Sequence, residues 1–182
     1  IWDAPQQPWD AFDALIFRSC WDYHFKKIAF LSFLSQLDES GIKTMNHIHI
    51  VRENHDKTYL TSLEESGVAI VPTVLIEQES QIPLVDVLAT QHWQEVVIKP
   101  SVSMSSFETW KFGRNEAPEY EDAFGQIKSK SCALVQEFVQ EIEGGGELSL
   151  VFVEGQLTHT LRKVAKRGDF RVQSEYGGIT EK

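Results

Sequence analysis

Polar residues that can hold a phosphorylated ligand stand at the ends of apolar segments in this chain. Lys99 follows Val96-Val97-Ile98, and Gln136-Glu137 follow Ala133-Leu134-Val135. A lysine that ends a buried strand can reach a phosphate as a point charge. The alternative is a lysine that extends its ammonium group to solvent, which is the commoner arrangement. Together with basic residues farther along the chain, this order favours a site for a nucleoside triphosphate.

Basic residues cluster near the C-terminal end of an otherwise acidic sequence. The cluster has five members, Arg162, Lys163, Lys166, Arg167 and Arg171. Guanidinium groups pair with phosphate and carboxylate oxygens, so the cluster is a candidate anion site. A solvated loop whose basic residues pair with nearby acids is the alternative, and composition alone favours it.

Small and acidic residues adjoin these positions. A serine-rich stretch, residues 101–106, follows Lys99 and either turns backbone N–H groups toward an anion or forms an ordinary polar turn. Glu147 follows Gly144-Gly145-Gly146. Its carboxylate either accepts hydrogen bonds from a ribose or is a simple surface acid. The Walker lysine loop and the Gly-x-Gly-x-x-Gly pattern do not occur, so neither standard phosphate fingerprint applies.

A second group of polar and aromatic residues, Arg18 to His24, follows the first predicted strand. Open α/β sheets bind ligands at the C-terminal ends of their strands, so this segment suits a small-molecule site. The alternative is that Trp21 and Tyr23 close a core. His47 and His49 alternate on one predicted strand face, but no further ligand is spaced to complete a metal site with them.

Composition limits the class of protein. The formal net charge is -10, and nucleic-acid binding needs a basic face, so the composition argues against a general nucleic-acid binder. No apolar run approaches the length of a membrane span, and the sequence shows no signal peptide. Cys20 and Cys132 match no zinc spacing, and we interpret them as reduced thiols of a cytoplasmic protein, with a disulfide between them as the less favoured alternative.

Hydrophobic periodicity predicts an α/β lobe followed by α+β lobes. The first lobe reads as strand, helix, strand and helix over residues 13–19, 24–40, 42–46 and 54–66. The remainder reads as strands over residues 73–76, 95–99, 108–112, 133–139, 148–153 and 156–164, with a helix over 118–129. Glu154-Gly155 predicts a tight hairpin between the last two strands.

Taken together, these residues resemble the ATP-grasp superfamily, in the branch of glutathione synthetase and the ribosomal-protein glutamate ligase. The resemblance is closest to bacterial ATP-grasp proteins with an Arg-Ser-Thr-Trp-Asp-Tyr-His motif, a group that includes the ligase that closes the cycloserine ring. Here the motif is Arg18 to His24, with Cys20 in the threonine position. The resemblance covers nearly the whole chain.

The resemblance implies a role for particular residues. Lys57 and Lys99 are similar to the two lysines that approach the nucleotide phosphates, and Glu147 to the acid that binds ribose. The hinge segment, Gln136-Glu137-Phe138-Val139, is similar to the segment whose backbone groups at Glu137 and Val139 bind the adenine edge. Arg162 and Arg171 are similar to catalytic arginines that face the transferred phosphate and the substrate. The implied substrate residues are Arg18, Trp21, Tyr23, Gly177 and Gly178.

An incomplete ATP-grasp fold follows from the same resemblance. Its expected parts are the end of an N-terminal α/β lobe at 1–67, a small central lobe at 68–139 and the start of a C-terminal lobe at 140–182. The family's magnesium ligands are expected beyond Lys182, so we predict no metal ligands within this chain. Gln173 stands where the family usually has asparagine.

The implied activity is ATP-dependent ligation of a carboxylate to an amine through an acyl phosphate. The expected partners are ATP, magnesium and a small amino-acid-like substrate, without nucleic acid or membrane, and the sequence gives no oligomeric state. One alternative is a non-catalytic nucleotide-binding or interaction module that lacks the metal site. Another is a purely structural α/β domain, which would bind no nucleotide.

Overall fold

A computed structural model describes residues 2–4, 7–18 and 20–181 of the chain. The chain forms two compact units, Ile1–Ala69 with Ser101–Met104 and Ile70–Pro100 with Ser105–Lys182. The three-part division predicted from the sequence stays a prediction. Within the described residues, no helix combines the length and the apolar character needed to cross a bilayer.

A strand–helix–strand arrangement organises the first unit. β1 (Leu15–Ile16) pairs in parallel with β2 (Thr44–Met45), and α1 (Lys27–Ser40) connects them. α1 ends where Gly41 has a φ of 68°, a backbone conformation that favours glycine. The predicted parallel unit is therefore confirmed, although β1 is shorter than the predicted strand, whose last residue, Ser19, lies outside the described residues.

Two short helices follow β2 in the first unit, α2 (Ile48–Asn54) and α3 (Tyr59–Glu65). The prediction of one helix over 54–66 identified α3 and missed α2. The prediction of a strand face for His47 and His49 is wrong, because His47 is the N-cap of α2. Its Nδ1 accepts a hydrogen bond from the His49 N–H at 3.4 Å, which satisfies a donor left free at the start of the helix.

The core of the first unit lies between α1 and the segments around it. Its buried members are Tyr23, Phe30, Phe33, Leu34, Leu37, Ile48 and Val102. Val102 comes from the short segment that follows residue 100, so the chain returns to the first unit for four residues before it continues in the second.

A four-stranded antiparallel sheet forms the centre of the second unit. Its strands are β3 (Thr73–Ile76), β4 (Glu95–Pro100), β5 (Trp110–Gly113) and β6 (Ala133–Glu137), in the order β3-β6-β4-β5. α4 (Leu84–Ala89) and α5 (Glu121–Lys130) contribute Leu84, Val87, Leu88, Phe124 and Ile127 to the core on one face of this sheet. The four predicted strands are confirmed, and α4 was not predicted.

A second, three-stranded antiparallel sheet follows α6 (Glu141–Gly145). Its strands are β7 (Glu147–Val153), β8 (Gln156–Val164) and β9 (Ile179–Glu181), in the order β7-β8-β9. Glu154 and Gly155 both have positive φ, which confirms the predicted tight hairpin. α6 and β9 were not predicted. Short 3-10 helices occupy Trp9–Ala11, Tyr23–Phe25, Arg114–Tyr120 and Ser174–Tyr176.

Candidate functional site

One face of the central sheet carries Lys99 and Gln136, two of the residues predicted to bind nucleotide. Val96 and Ile98 of β4 belong to the hydrophobic core, so the alternating residues of that strand face the other side. The strand register places Gln136 and Lys111 on that side opposite Val97. We call this surface the Lys99 face and define it by Glu95, Val97, Lys99, Lys111 and Gln136.

Lys99 is a half-buried cation on this face. Burial lowers the pKa of its ammonium group, and the negative charge of Glu147 acts in the opposite direction. Among the described residues, no carboxylate lies within 4 Å of the ammonium group to form an ion pair with it. A desolvated cation without an ion-pair partner is costly unless a ligand supplies the anion.

The hinge segment lies at the end of β6, beside the Lys99 face. Its Glu137 N–H donates to Pro72 O at 3.1 Å, and its Phe138 N–H donates to Glu95 O at 3.0 Å. The Gln136 side chain donates to Thr73 Oγ1 at 2.6 Å. Within the part of the chain that the structure describes, the Val139 N–H has no hydrogen-bond partner, so it is available to a ligand.

Glu147 and Lys163 lie opposite one another in the second sheet. Lys163 Nζ donates to Glu147 Oε1 at 3.1 Å, and residues paired across two strands point to the same face. The same register pairs Arg162 with Leu148 on the opposite face, where both side chains are exposed. The structure therefore places Lys163, and not Arg162, beside the predicted ribose acid.

An irregularity in the hairpin decides which basic residue reaches this face. Phe152 pairs with Leu157, but Val151 pairs with His159, so Thr158 is an extra residue in β8. Its hydroxyl donates to Val151 O at 3.0 Å. A regular ladder from the Glu154-Gly155 turn would pair Glu147 with Arg162, and the bulge moves the register by one residue and reverses the faces. From the sequence, Lys163 was distinguished only as a member of the basic cluster.

Arg171 is held by its own neighbours. Its Nε and Nη2 donate to Oδ1 and Oδ2 of Asp169 at 3.0 and 2.7 Å, and its guanidinium carbon lies 3.7 Å from the centre of the Tyr176 ring. Hydrogen bonds from Arg171 lower the pKa of Asp169 to about 2. The guanidinium group is therefore fixed in one orientation before any ligand binds.

Gly177 and Gly178 close the loop that follows Arg171. A Cβ on Gly178 would lie 2.1 Å from Val172 O, so only glycine fits this close backbone approach. Gln173 accepts a hydrogen bond from the Ser106 hydroxyl at 2.8 Å and thereby joins this loop to the serine-rich stretch after Lys99. These contacts explain the glycines structurally, and their role in substrate binding stays a prediction.

In the first unit, the structure brings Arg18, Trp21 and Tyr23 together around a cavity of about 360 Å³. Arg18 and Trp21 are exposed, whereas Tyr23 is 9% exposed and stacks on Phe30 with 5.0 Å between ring centres. The Tyr23 hydroxyl donates to His55 O at 3.2 Å, and burial raises its pKa. Tyr23 therefore belongs to the hydrophobic core and also lines the cavity. Arg171, predicted to share a cleft with these residues, belongs to the second unit, so that prediction stays open.

Lys57 fixes the short segment 101–104 within the first unit. Its Nζ donates to Ser103 O at 2.6 Å, and its backbone N–H donates to Ser101 O at 2.9 Å. Ser101 and Ser103 are buried. The structure thus gives Lys57 a structural task, and its predicted contact with nucleotide phosphates stays a prediction.

Cysteine and metal chemistry add nothing further to this site. Cys20 and Cys132 are both free thiols. Across residues 2–4, 7–18 and 20–181, no group of three or more histidine, cysteine or carboxylate side chains is arranged to hold a metal ion.

Two family models match separate parts of the chain. Residues 1–46 match the N-terminal domain of D-cycloserine synthetase DcsG, and residues 96–182 match the RimK-like ATP-grasp domain. The cycloserine biosynthesis protein DcsG of Streptomyces lavendulae is 27% identical over 168 residues, which cover 90% of this chain and 56% of that protein.

Solved structures agree with these matches. The crystal structure of D-cycloserine synthetase DcsG aligns with a TM-score of 0.82 at 25% identity, over 90% of this chain and 56% of that one. D-alanyl-alanine synthetase A from Vibrio cholerae has a TM-score of 0.56 at 20% identity, over 81% and 46% of the two chains. The ATP-grasp ligase PsnB has a TM-score of 0.56 at 17% identity, over 93% and 55%. The chain spans about half the length of each relative.

Proposed function

Because the chain belongs to the ATP-grasp superfamily, and has the mixed α/β architecture of part of that fold, we propose that the protein is an ATP-dependent carboxylate–amine ligase. The γ-phosphoryl group of ATP passes to an oxygen of the substrate carboxylate, which yields ADP and an acyl phosphate. An amine then attacks the acyl carbon, loses a proton and expels inorganic phosphate as the C–N bond forms. The substrate is a small amino-acid-like molecule.

The half-buried Lys99 carries this proposal. Its ammonium group lacks an ion-pair partner among the described residues, and burial lowers its pKa, so an anionic ligand would relieve a cost that the fold imposes. Glu147 lies close enough to influence its charge, which suits a ligand that has ribose hydroxyls near its phosphates. A nucleoside triphosphate supplies both the anion for Lys99 and the ribose hydroxyls for Glu147.

The other residues have supporting roles in the proposal. The free Val139 N–H and the Glu137 backbone would bind the adenine edge, and Lys163 would share phosphate charge with Lys99. Arg171, already oriented by Asp169, would stabilise negative charge during transfer. Arg18, Trp21 and Tyr23 would receive the amino-acid-like substrate in the first unit.

Magnesium normally accompanies ATP in phosphoryl transfer. The described residues do not fit a metal centre, since they contain no group of three suitable ligands. No step of the proposed reaction is therefore assigned to a metal held by this chain.

ADP release measured with the full-length protein tests this proposal. The protein would be incubated with ATP, magnesium chloride and a panel of D- and L-amino acids, each with and without an amine acceptor. Release that depends on one amino acid supports the ligase. ATP binding without release under any condition supports the alternative, a non-catalytic nucleotide-binding module.

A further inference from the structure

Lys111 stands at the centre of a charged network that the proposed reaction does not use. It lies on β5, its side chain is 15% exposed, and its ammonium group contacts three other segments of the second unit. We propose that Lys111 is a positioning residue for the adenine end of the nucleotide site, because it fixes the hinge segment against the central sheet. This inference rests on the proposed nucleotide site.

The contacts of Lys111 converge from both sides of the hinge segment. Its Nζ lies 2.9 Å from Oε1 of Glu95 on β4, and it also pairs with Oε1 of Glu143 on α6. The same ammonium group lies 3.9 Å from the centre of the Phe138 ring within the hinge segment. One cation thus connects the sheet, the hinge segment and the helix that follows it.

Glu95 extends this connection to the backbone. Its carbonyl accepts the Phe138 N–H at 3.0 Å, and its Oε2 accepts a hydrogen bond from the Gln140 side chain. The residues on either side of Val139 are therefore both attached to Glu95, whose carboxylate Lys111 holds. Since the Val139 N–H is the free donor of the hinge segment, its direction depends on these attachments.

Loss of the cation would act directly on the hinge segment. Two carboxylates share Lys111. Although burial lowers the pKa of its ammonium group, the hydrogen bonds that the group donates to Glu143 and Glu95 raise the pKa above its ordinary value, so Lys111 is charged at neutral pH. Without it, Glu95 and Glu143 would face each other as like charges, which would move α6 and the hinge segment away from the sheet. A donor aimed at a ligand must be held within about 0.5 Å to bind well.

Phe138 also connects the hinge segment to the loop that contains Arg171. Its ring meets the edge of Phe170 with 6.2 Å between centres, and Phe170 directly precedes Arg171. The ring therefore lies between the Lys111 cation and the loop of the proposed catalytic arginine. Aromatic pairs of this edge-on geometry resist displacement of either partner.

Calorimetric titration of the chain with adenosine, ATP and inorganic tripolyphosphate tests the inference. Lys111→Met should weaken adenosine and ATP alike by about tenfold, because the altered end is the adenine end, while tripolyphosphate binding changes less than about twofold. Glu143→Gln, which removes one of the two repelling carboxylates, should restore part of the loss when combined with Lys111→Met. Lys111→Arg keeps the charge and should retain most of the affinity.

Two outcomes would overturn the role of Lys111 and leave the proposed function intact. One is unchanged adenosine affinity in Lys111→Met with only a lower melting temperature, which would make Lys111 merely structural. The other is an equal loss of tripolyphosphate affinity. If Lys111→Met does not fold, Lys111→Gln and Glu95→Gln give the same comparison. Failure of the unaltered chain to bind either nucleotide would instead overturn the proposed function, and the inference with it.

Discussion

Glu147 and Lys163 form an ion pair of 3.1 Å across the second sheet, so the two side chains lie on the same face of that sheet. Arg162, the adjacent residue, lies on the opposite face because Thr158 bulges out of the strand. A one-residue difference in register thus separates a basic group that can share phosphate charge from one that faces solvent.

The first prediction compares these two neighbours. Lys163→Met should weaken ATP binding by about tenfold, because it removes a charge-assisted contact on the Glu147 side. Arg162→Met should change the affinity by less than about twofold, because its side chain is exposed on the other face. Titration calorimetry measures both. The reverse ranking would return the phosphate contact to Arg162, as the resemblance to the ATP-grasp superfamily implied.

Much of the fold could be predicted from the sequence, and the errors have physical causes. The strands of the central sheet alternate or are apolar throughout, and Glu154-Gly155 marks the hairpin between β7 and β8 of the three-stranded sheet, so these elements were predicted correctly. His47 and His49 alternate as strand residues do, yet a local side-chain hydrogen bond makes His47 a helix cap. The short α4 follows Pro83 and spans six residues, too few for a helical period to be recognised.

The residue types of the candidate site and their order could be predicted from the sequence. The face of the sheet on which each side chain lies could not. Lys99 and the hinge segment follow buried strands, and their positions were readable from the apolar runs before them. The bulge at Thr158 has no signal in the sequence, so nothing could favour Lys163 over Arg162. Lys111 was also missed. Its two carboxylate partners come from segments that are distant in the sequence, and the sequence around a strand lysine does not indicate such partners.

The second prediction concerns Gly146, which begins the turn into β7. Its φ is 78°, and a Cβ there would lie 2.4 Å from Lys163 O. Gly146→Ala should therefore lower the free energy of unfolding by about 2 kcal/mol or more, through strain and collision with the backbone. Gly145→Ala is the matched control, since a Cβ there meets nothing within 4 Å. In urea denaturation, the free energy of unfolding of Gly145→Ala should equal or exceed that of the unaltered chain. Equal losses of this free energy in both variants would contradict the described hairpin.

The third prediction is a pH dependence that arises from Asp169 and Arg171. The pKa of Asp169 falls from the ordinary 3.8 to about 2 in the folded chain. A lowered carboxyl pKa stabilises the folded state above the unfolded pKa, and this contribution is lost as pH falls from about 4 to about 2. Asp169→Asn should thus be less stable than the unaltered chain by about 1 kcal/mol at pH 5 to 8.

The difference between the two chains in this third prediction should shrink below pH 4. Thermal melts at half-unit pH steps measure it, with Asp122→Asn on α5 as a surface control. A difference that stays constant down to pH 2 would show that the bidentate pair does not contribute through the charge of Asp169.

The fourth prediction concerns Arg18 at the cavity of the first unit. Lysine keeps the charge of arginine but cannot bind both oxygens of a carboxylate at once. Arg18→Lys in the full-length protein should raise the apparent KM for the carboxylate substrate by about tenfold and leave ATP affinity nearly unchanged. A lower melting temperature with normal kinetics in the folded fraction would make Arg18 a residue of the core boundary only.

The Lys99→Met variant tests the central claim most directly, because it removes the half-buried charge and keeps a similar side-chain volume. Calorimetric titration with ATP and with adenosine should show ATP weakened by about ten- to a hundredfold and adenosine changed by less than about twofold. The melting temperature should rise, since an ammonium group without an ion pair among the described residues is no longer buried. Equal loss of both ligands, or unchanged ATP affinity, would contradict a nucleotide triphosphate site on the Lys99 face.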